Sequence, residues 1–360
     1  MSKISTVRKL DNQLISLFDY SNDIKPIAPK PSGFLNPPRF IDLFCGIGGI
    51  RLGMEKAGFK CVFSCDINAE CQRTYNANFG DIPHGDVKAI SELNLPSYDI
   101  LCAGFPCQPF SASGRLKGFS DERGTLFFDI CRIIMATQPK VVFLENVKNL
   151  VYHDSRRTFE TILEKLSDLG YICQWNILNA VDYGVPQNRE RIIIVASKNE
   201  SFDFSNVKTQ QRTILSAFLD EDGDFEFLEN NEYTLIENPV TQKKSGLRFV
   251  GYRNKAIRKN GVRPGTEHLS RVHRQTNRIH SVTGSIPTLT SQETSGRYFI
   301  MLPDKRVRKL TLDECFRIMG FPKDFKRLSA FTEQYRQMGN SVCVPMISAV
   351  AEAISEQYFE

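Results

Sequence analysis

A cysteine lies directly behind an apolar stretch of this chain, in the segment Gly104-Phe105-Pro106-Cys107-Gln108-Pro109. The preceding run, Tyr98 to Ala103, is typical of a buried parallel strand, and the glycine and prolines predict a sharp turn after it. Because open α/β sheets bind ligands at the carboxyl ends of their strands, Cys107 has the position of a nucleophile. A lone cysteine is more often a small buried hydrophobe, so the assignment depends on other residues.

A glycine-rich turn and an acidic residue predict a nucleotide pocket in the same domain. Phe40 to Phe44 reads as a buried strand, Cys45-Gly46-Ile47-Gly48-Gly49 turns it into a helix, and a second strand ends at Asp66. In a nucleotide-binding βαβ unit, glycines let the backbone approach the ligand and the acid accepts hydrogen bonds from ribose hydroxyls. The turn lacks the full G-x-G-x-x-G pattern, and it is Asp66 that favours adenosine binding.

Further polar side chains follow later strands. Asp86 begins a loop after Gly85, and Glu145-Asn146-Val147 stands at the tip of the apolar run Val141 to Leu144. Since the carboxyl ends of parallel strands meet at one edge, the sequence predicts an adenosine pocket, the Cys107 thiol and the Glu145 carboxyl on the same edge of the sheet.

Alternating strand and helix patterns predict the fold that positions these groups. The alternation runs from Phe40 to about Phe202, which indicates an α/β, doubly wound, Rossmann-like domain. Short β-type segments follow and predict a second, smaller, irregular β-rich domain. We expect an N-terminal extension and Pro-rich linker at 1–38, the first domain at 39–205 completed by 333–360, and the second at 206–332.

Basic residues are concentrated between Thr241 and His280, although the net charge of the whole chain is only +5. Such a stripe predicts a polyanionic partner. A solvated face usually mixes both signs, so nucleic acid is favoured over that alternative. Against one acid, Glu267, the stretch contains Lys243, Lys244, Arg248, Arg253, Lys255, Arg258, Lys259, Arg263, Arg271, Arg274 and Arg278.

Composition argues against several other classes of protein. No apolar run approaches about 20 residues and residues 1–11 have no apolar segment of signal-peptide type, so we expect a cytoplasmic protein. The ten cysteines include no C-x-x-C pair, which fits reduced thiols, and no metal is needed. For His268, His273 and His280 we expect surface positions or phosphate contacts rather than zinc binding.

Six short motifs, taken in order, resemble those of the DNA (cytosine-5)-methyltransferases of bacterial restriction-modification systems. They cover nearly everything after Phe40 except roughly residues 202–286. The motifs are Asp42-Leu43-Phe44-Cys45-Gly46-Ile47-Gly48-Gly49, Gly104-Phe105-Pro106-Cys107-Gln108, Glu145-Asn146-Val147, Gln187-Asn188-Arg189-Glu190-Arg191, Arg308-Lys309-Leu310-Thr311 with Glu314-Cys315, and Gly339-Asn340-Ser341-Val342.

The resemblance implies methyl transfer from S-adenosylmethionine to carbon 5 of cytosine, with four catalytic residues. The Cys107 thiolate adds to carbon 6 and turns the electron-poor ring into an enamine, and nearby positive charge from Arg189 or Arg191 helps the thiol to ionise. Glu145 donates or shares a proton at ring nitrogen 3. Arg191 resembles the family arginine that holds the base oxygen, and Arg189 the one nearer the phosphate.

The resemblance also implies a pocket for S-adenosylmethionine, with Asp66 at the ribose and Asp86 at the adenine amino group. Position 67 is Ile where an aromatic residue is common, and position 66 is Asp rather than Glu, so we expect weaker adenine stacking. The implied pocket residues are Phe44, Gly46, Ile47, Asp66, Ile67, Asp86, Pro106, Leu126 and Asn340.

A cytosine in a duplex has to be flipped out to reach a buried thiol. The stretch from Gln108 to Gly124 resembles the mobile loop that closes over the flipped base, with Gln108 and Ser113 filling or bracing the gap. Thr288 resembles the residue that touches the DNA backbone there. The second domain then recognises the target, and the arginines expected to read guanine edges are Arg271, Arg274 and Arg278.

The expected partner is double-stranded DNA, bound by a monomeric, nucleoid-associated enzyme. Any cognate restriction endonuclease would act on the same site without direct binding. Three alternatives remain open. A dinucleotide-dependent oxidoreductase leaves Cys107, Glu145 and the basic stripe without a role, the sizeable basic domain disfavours a related tRNA cytosine methyltransferase, and the intact Cys107 and Glu145 disfavour a silent DNA-binding module.

Overall fold

A six-stranded sheet is the scaffold of the first half of the chain. The computed structural model describes residues 36–106, 126–257, 264–266, 268–292 and 297–360. The predictions for Cys107, Gln108, Ser113, the loop they belong to and residues 1–35 lie outside these ranges. The sheet has the order β2-β1-β3-β4-β7-β5 and consists of β1 (Arg39–Leu43), β2 (Lys60–Cys65), β3 (Ile100–Gly104), β4 (Val141–Val147), β5 (Ile172–Asn179) and β7 (Glu190–Ser197).

One strand of this sheet, β7, runs antiparallel to the others. β1, β2, β3 and β4 pair in parallel, whereas β7 is antiparallel to both of its neighbours, β4 and β5. Only ten residues separate β5 from β7, too few for the crossover helix that a parallel pair requires. The predicted alternation of strand and helix therefore ends at β5, and the sheet is mixed.

Helices cover both faces of the sheet because successive strand residues point to opposite sides. Phe40 and Cys102 face one hydrophobic cluster, which includes the C-terminal helix, and Ile41 and Leu101 face the other. The helices of this domain are α1 (Gly49–Lys56), α2 (Ala69–Phe79), α3 (Leu126–Thr137), α4 (Arg157–Asp168) and the C-terminal α7 (Val344–Tyr358).

A second sheet of five short strands lies in the region predicted to be irregular and β-rich. Its order is β13-β12-β10-β9-β8, and its own strands supply a small cluster of buried side chains that includes Val250, Ile279 and Phe299. The strands are β8 (Tyr233–Leu235), β9 (Phe249–Arg253), β10 (Arg278–Ser281), β12 (Phe299–Met301) and β13 (Val307–Lys309). A two-stranded parallel pair, β6 (Gln187–Asn188) with β11 (Ile286–Pro287), lies outside both sheets.

The helices α5 (Leu312–Ile318) and α6 (Phe331–Asn340) follow the second sheet. Leu312, Cys315 and Ile318 pack in the same cluster as Phe40 of β1, so residues that the expected limits place in the second domain contribute to the core of the first. By length and composition residues 331–358 could cross a membrane, but 78% of the apolar window is buried inside the protein, as in a core helix.

The histidine prediction is wrong at two of its three positions. His268 is exposed, but His273 and His280 are each only 2% exposed. His273 stacks on the ring of Tyr252, with centroids 3.9 Å apart. His280 lies inside the second sheet, where burial, with a smaller contribution from the charge of Arg278, lowers its pKa to about 3. It is therefore a neutral core side chain.

Candidate active site

The carboxyl edge of the first sheet brings together three of the predicted motifs. Gly104, at the end of β3, pairs with Glu145 of β4, and Val147 pairs with Arg191 of β7. Because β7 is antiparallel, its first residues lie at the edge where β3 and β4 end. An arginine from the beginning of a strand thus reaches a carboxylate near the end of another.

Glu145 and Arg191 form an ion pair at this edge. The Arg191 Nε lies 3.1 Å from the Glu145 Oε1, and both side chains are about nine-tenths buried, at 12% and 11% exposed. Burial raises the pKa of Glu145, and the charges of Arg191 and Arg189 oppose this shift. Glu145 lies within β4, two residues before its end, rather than at the tip. A carboxyl with a raised pKa is suited to proton donation.

The main chain that leads to Cys107 is held by a residue to which sequence reasoning assigned no role. The Asn146 Nδ2 donates a hydrogen bond to the carbonyl oxygen of Phe105 over 2.8 Å, and both residues are buried. Pro106 is exposed. In the sequence, the signal that could have pointed to Asn146 was its position next to Glu145. Its contact fixes the backbone two residues before the predicted nucleophile.

Arg189 lies inside the protein and not at a phosphate-binding surface. It is 1% exposed, and its guanidinium donates to the carbonyl oxygens of Leu289 (2.8 Å), Gly339 (3.0 Å) and Ser341. Burial, and secondarily the charge of Arg191, lowers its pKa to about 9. The expectation of a phosphate contact is therefore corrected, because the Nη atoms are committed to main-chain carbonyls.

The glycine turn after β1 and the acid after β2 meet as predicted for a nucleotide pocket. The Gly46 N–H donates to Asp66 Oδ2 over 2.9 Å, and the Asn68 N–H donates to Oδ1 over 2.8 Å. Phe44, like Gly46, adopts a positive φ, which is costly for a side chain of this size and often marks a binding site. A Cβ on Gly46 would meet nothing within 4 Å, so a ligand has room against this backbone.

Most other predicted pocket residues are accessible. The segment before Asp86 joins the end of β2, since the Asp66 N–H donates to the His84 carbonyl. Ile67 is 74% exposed and offers an apolar surface to a base, whereas the whole of Ile47 is 1% exposed, so in this conformation it is a core residue that a ligand does not reach. The exposed Asn340 and the half-buried Leu126, first residue of α3, complete the set.

Asp42 is a buried carboxyl that the sequence analysis did not select as a site residue. Within the described ranges, neither of its side-chain oxygens makes a hydrogen bond of ordinary length and angle. Burial raises its pKa to about 8, with the charge of Arg51 opposing the shift. Protonation lowers the cost of burying this group. In the sequence, the signal that could have pointed to Asp42 was its place as the first residue of the motif at 42–49.

The residues expected to contact DNA differ in accessibility. Arg271 and Arg274 are exposed. Arg278 donates from Nε to the His273 carbonyl (3.1 Å) and from Nη1 to Gln275 Oε1 (2.7 Å), so in this conformation it supports the fold instead of being free to read a base. Thr288 is half-buried, and its hydroxyl donates to the Asn188 carbonyl over 2.8 Å.

Comparison with known proteins supports the same assignment. The family model described as C-5 cytosine-specific DNA methylase matches residues 38–356. The chain is 38% identical to the Type II methyltransferase M.HhaI of Haemophilus parahaemolyticus, over 87% of this chain and 93% of that protein. It is 40% identical to M.NgoBI of Neisseria gonorrhoeae, over 88% and 92%.

Solved structures share the fold at lower identity. The S. pombe Dnmt2 methyltransferase superposes with a TM-score of 0.64 at 18% identity, over 90% of this chain and all of that one. The Entamoeba histolytica methyltransferase EhMeth gives 0.63 at 19% identity, over the same shares. The family model spans nearly the whole chain and the curated relatives agree with it. The chain therefore belongs to the C-5 cytosine-specific DNA methylase family and is a DNA (cytosine-5)-methyltransferase.

Proposed function

We propose that this enzyme methylates carbon 5 of a flipped-out cytosine in a specific double-stranded DNA sequence and so protects host DNA in a restriction-modification system. The observation that carries the proposal is the buried Glu145–Arg191 pair, 3.1 Å apart, beside the strand that leads to Cys107. This arrangement offers a proton donor and a fixed cation where a cytosine would meet a thiolate.

The proposed chemistry begins with the Cys107 thiolate, which forms a bond to carbon 6 of the base. Glu145 donates a proton to ring nitrogen 3, so the electron pair that arrives from sulfur gives a neutral enamine. Arg191 holds the base oxygen and stabilises the Glu145 carboxylate that remains. S-adenosylmethionine supplies the methyl group. Carbon 5 takes up the methyl group and S-adenosylhomocysteine is the leaving group. Carbon 5 then gives its hydrogen as a proton to water, the sulfur–carbon 6 bond breaks to regenerate the Cys107 thiolate, and the proton on ring nitrogen 3 returns to Glu145.

The remaining assignments are proposals of the same kind. Asp66 and Asp86 would hold the ribose and the adenine, with Phe44, Gly46, Ile67 and Asn340 around them. The second sheet, within 206–332, would be the target-recognition domain, with Arg271 and Arg274 available for base contacts. A monomer in the cytoplasm, associated with the nucleoid and needing no metal, is expected.

Bisulfite sequencing of DNA from cells that express the chain tests the proposed function. We expect one short sequence to contain a protected cytosine at every occurrence, and none in cells expressing Cys107→Ser. S-adenosylmethionine binding should survive that substitution, because the thiol is needed only for addition to carbon 6. Methylation by Cys107→Ser at the wild-type rate would contradict the mechanism, and absence of methylation by the wild type would contradict the function.

A further inference from the structure

Arg189 joins its own strand-end segment to two others that are far apart in the sequence. Its Nη1 donates to Leu289, and its Nη2 donates to Gly339 and Ser341. A planar guanidinium presents its donors in fixed directions, so these carbonyls are held in one arrangement. We call this contact set the Arg189 junction.

One side of the junction is the segment Gly339–Ser341, which packs on the cofactor turn. A Cβ on Gly49, at the start of α1, would overlap the Ser341 Oγ, so the Ser341 side chain lies directly against the Gly49 backbone. Asn340, which lies between Gly339 and Ser341 in the sequence, is exposed and is among the proposed cofactor residues. A conformational change in the glycine turn at residues 45–49, called here the cofactor turn, therefore displaces Ser341.

The other side is the segment Thr288–Leu289, which is proposed to lie beside the flipped cytosine. The Leu289 N–H donates to Gln187 Oε1 over 3.0 Å. A Cβ on Gly339 would overlap the carbonyl oxygen of Thr290, so this segment also packs against the cofactor side directly. Thr290 and Gly339 are thus in direct backbone contact, and the Arg189 guanidinium also links Gly339 to Leu289, the residue before Thr290.

We infer that Arg189 is a positioning residue that couples cofactor binding to DNA binding, so that each ligand strengthens the binding of the other. The inference rests on the proposed function. A ligand that orders one segment leaves less freedom to be lost when the second ligand orders the other, and the coupling must be reciprocal. The buried guanidinium is the group that holds both segments at once.

The test measures the affinity of a duplex carrying the methylated site, with and without saturating S-adenosylhomocysteine. Wild-type protein should bind the duplex at least about 5-fold more tightly with the cofactor product present, the lower end of typical coupling. In Arg189→Lys the ammonium keeps the charge but cannot span the Leu289 and Gly339 carbonyls. The ratio of DNA affinity with S-adenosylhomocysteine to DNA affinity without it should therefore fall to about 2-fold or less in this variant.

Tyr298→Phe is the matched control. The Tyr298 hydroxyl donates to the Thr288 carbonyl over 2.6 Å, so its loss perturbs the same segment without touching Gly339 or Ser341. This variant should lose DNA affinity equally with and without S-adenosylhomocysteine and keep the wild-type ratio. An unchanged ratio in Arg189→Lys would overturn the inference, and so would an equal loss of the ratio in both variants.

Hydrogen exchange on the wild type covers the case in which Arg189→Lys does not fold. S-adenosylhomocysteine alone should slow amide exchange in residues 288–292, and no change there would overturn the inference. A wild type that methylates DNA but binds it equally with and without S-adenosylhomocysteine contradicts the coupling alone. A wild type that never methylates contradicts the proposed function.

Discussion

The Nε of Arg191 lies 3.1 Å from the Oε1 of Glu145, and the two residues come from strands that run in opposite directions. The pair is nearly buried, and burial acts on the two groups in opposite senses. It raises the pKa of Glu145 and lowers the pKa of Arg191. The carboxyl is thereby favoured as a proton donor, while the neighbouring cation keeps the ionised form accessible.

Glu145→Gln should lower single-turnover methylation by roughly 10²–10⁴-fold, the usual contribution of general acid catalysis. An amide can still donate a hydrogen bond to ring nitrogen 3, but it cannot transfer a proton. DNA affinity, measured in parallel, should change little. A variant that turns over at the wild-type rate would show that Glu145 is structural.

Asn146→Ala should lower the methylation rate, because it releases the Phe105 carbonyl two residues before Cys107. S-adenosylmethionine affinity should change by no more than about 5-fold, because the loss of a neutral hydrogen bond costs about 1 kcal/mol. Asn176→Ala is the matched control, because Asn176 is exposed on β5. Equal rates in the two variants would remove the positioning role.

Asp42→Asn should flatten the pH dependence of stability. The Asp42 pKa is about 8 in the folded protein and about 3.9 in an unfolded chain. The native state therefore holds an extra proton between these values, and its stability falls as the pH rises through this window. Relative to the variant, the wild-type Tm should fall as the pH rises from about 5 to about 8. Parallel curves of Tm against pH for the two proteins would contradict the raised pKa of Asp42.

Neutralising the exposed pair Lys243 and Lys244 should weaken binding to all DNA and reduce the salt-dependence slope by up to about 0.9 for each phosphate that the protein no longer neutralises. Replacing Arg271 or Arg274 should instead cost about 1–3 kcal/mol on the cognate duplex and much less on random DNA. Both sets are measured at two salt concentrations. Equal weakening on both duplexes would make the stripe a phosphate clamp only.

The sequence by itself determined the enzyme family, the strand and helix order up to β5, and the proximity of Asp66 to the glycine turn. These features depend on local patterns and short motifs, in which the residue types carry the information. The Asp66 carboxylate accepts from Gly46 twenty positions earlier because a βαβ unit brings the ends of its two strands together.

Only the tertiary structure decided what Arg189, His273 and His280 contact. Arginine and histidine usually lie at surfaces, and their charge suggests DNA contacts, but burial depends on which segments pack around them. The direction of β7 was likewise decided only by the tertiary structure. It follows from pairing across the sheet, and it places Arg191 beside Glu145 from a segment more than forty residues later. Such non-local pairing leaves no periodic signal in the sequence, so the active-site geometry became visible only in the folded chain.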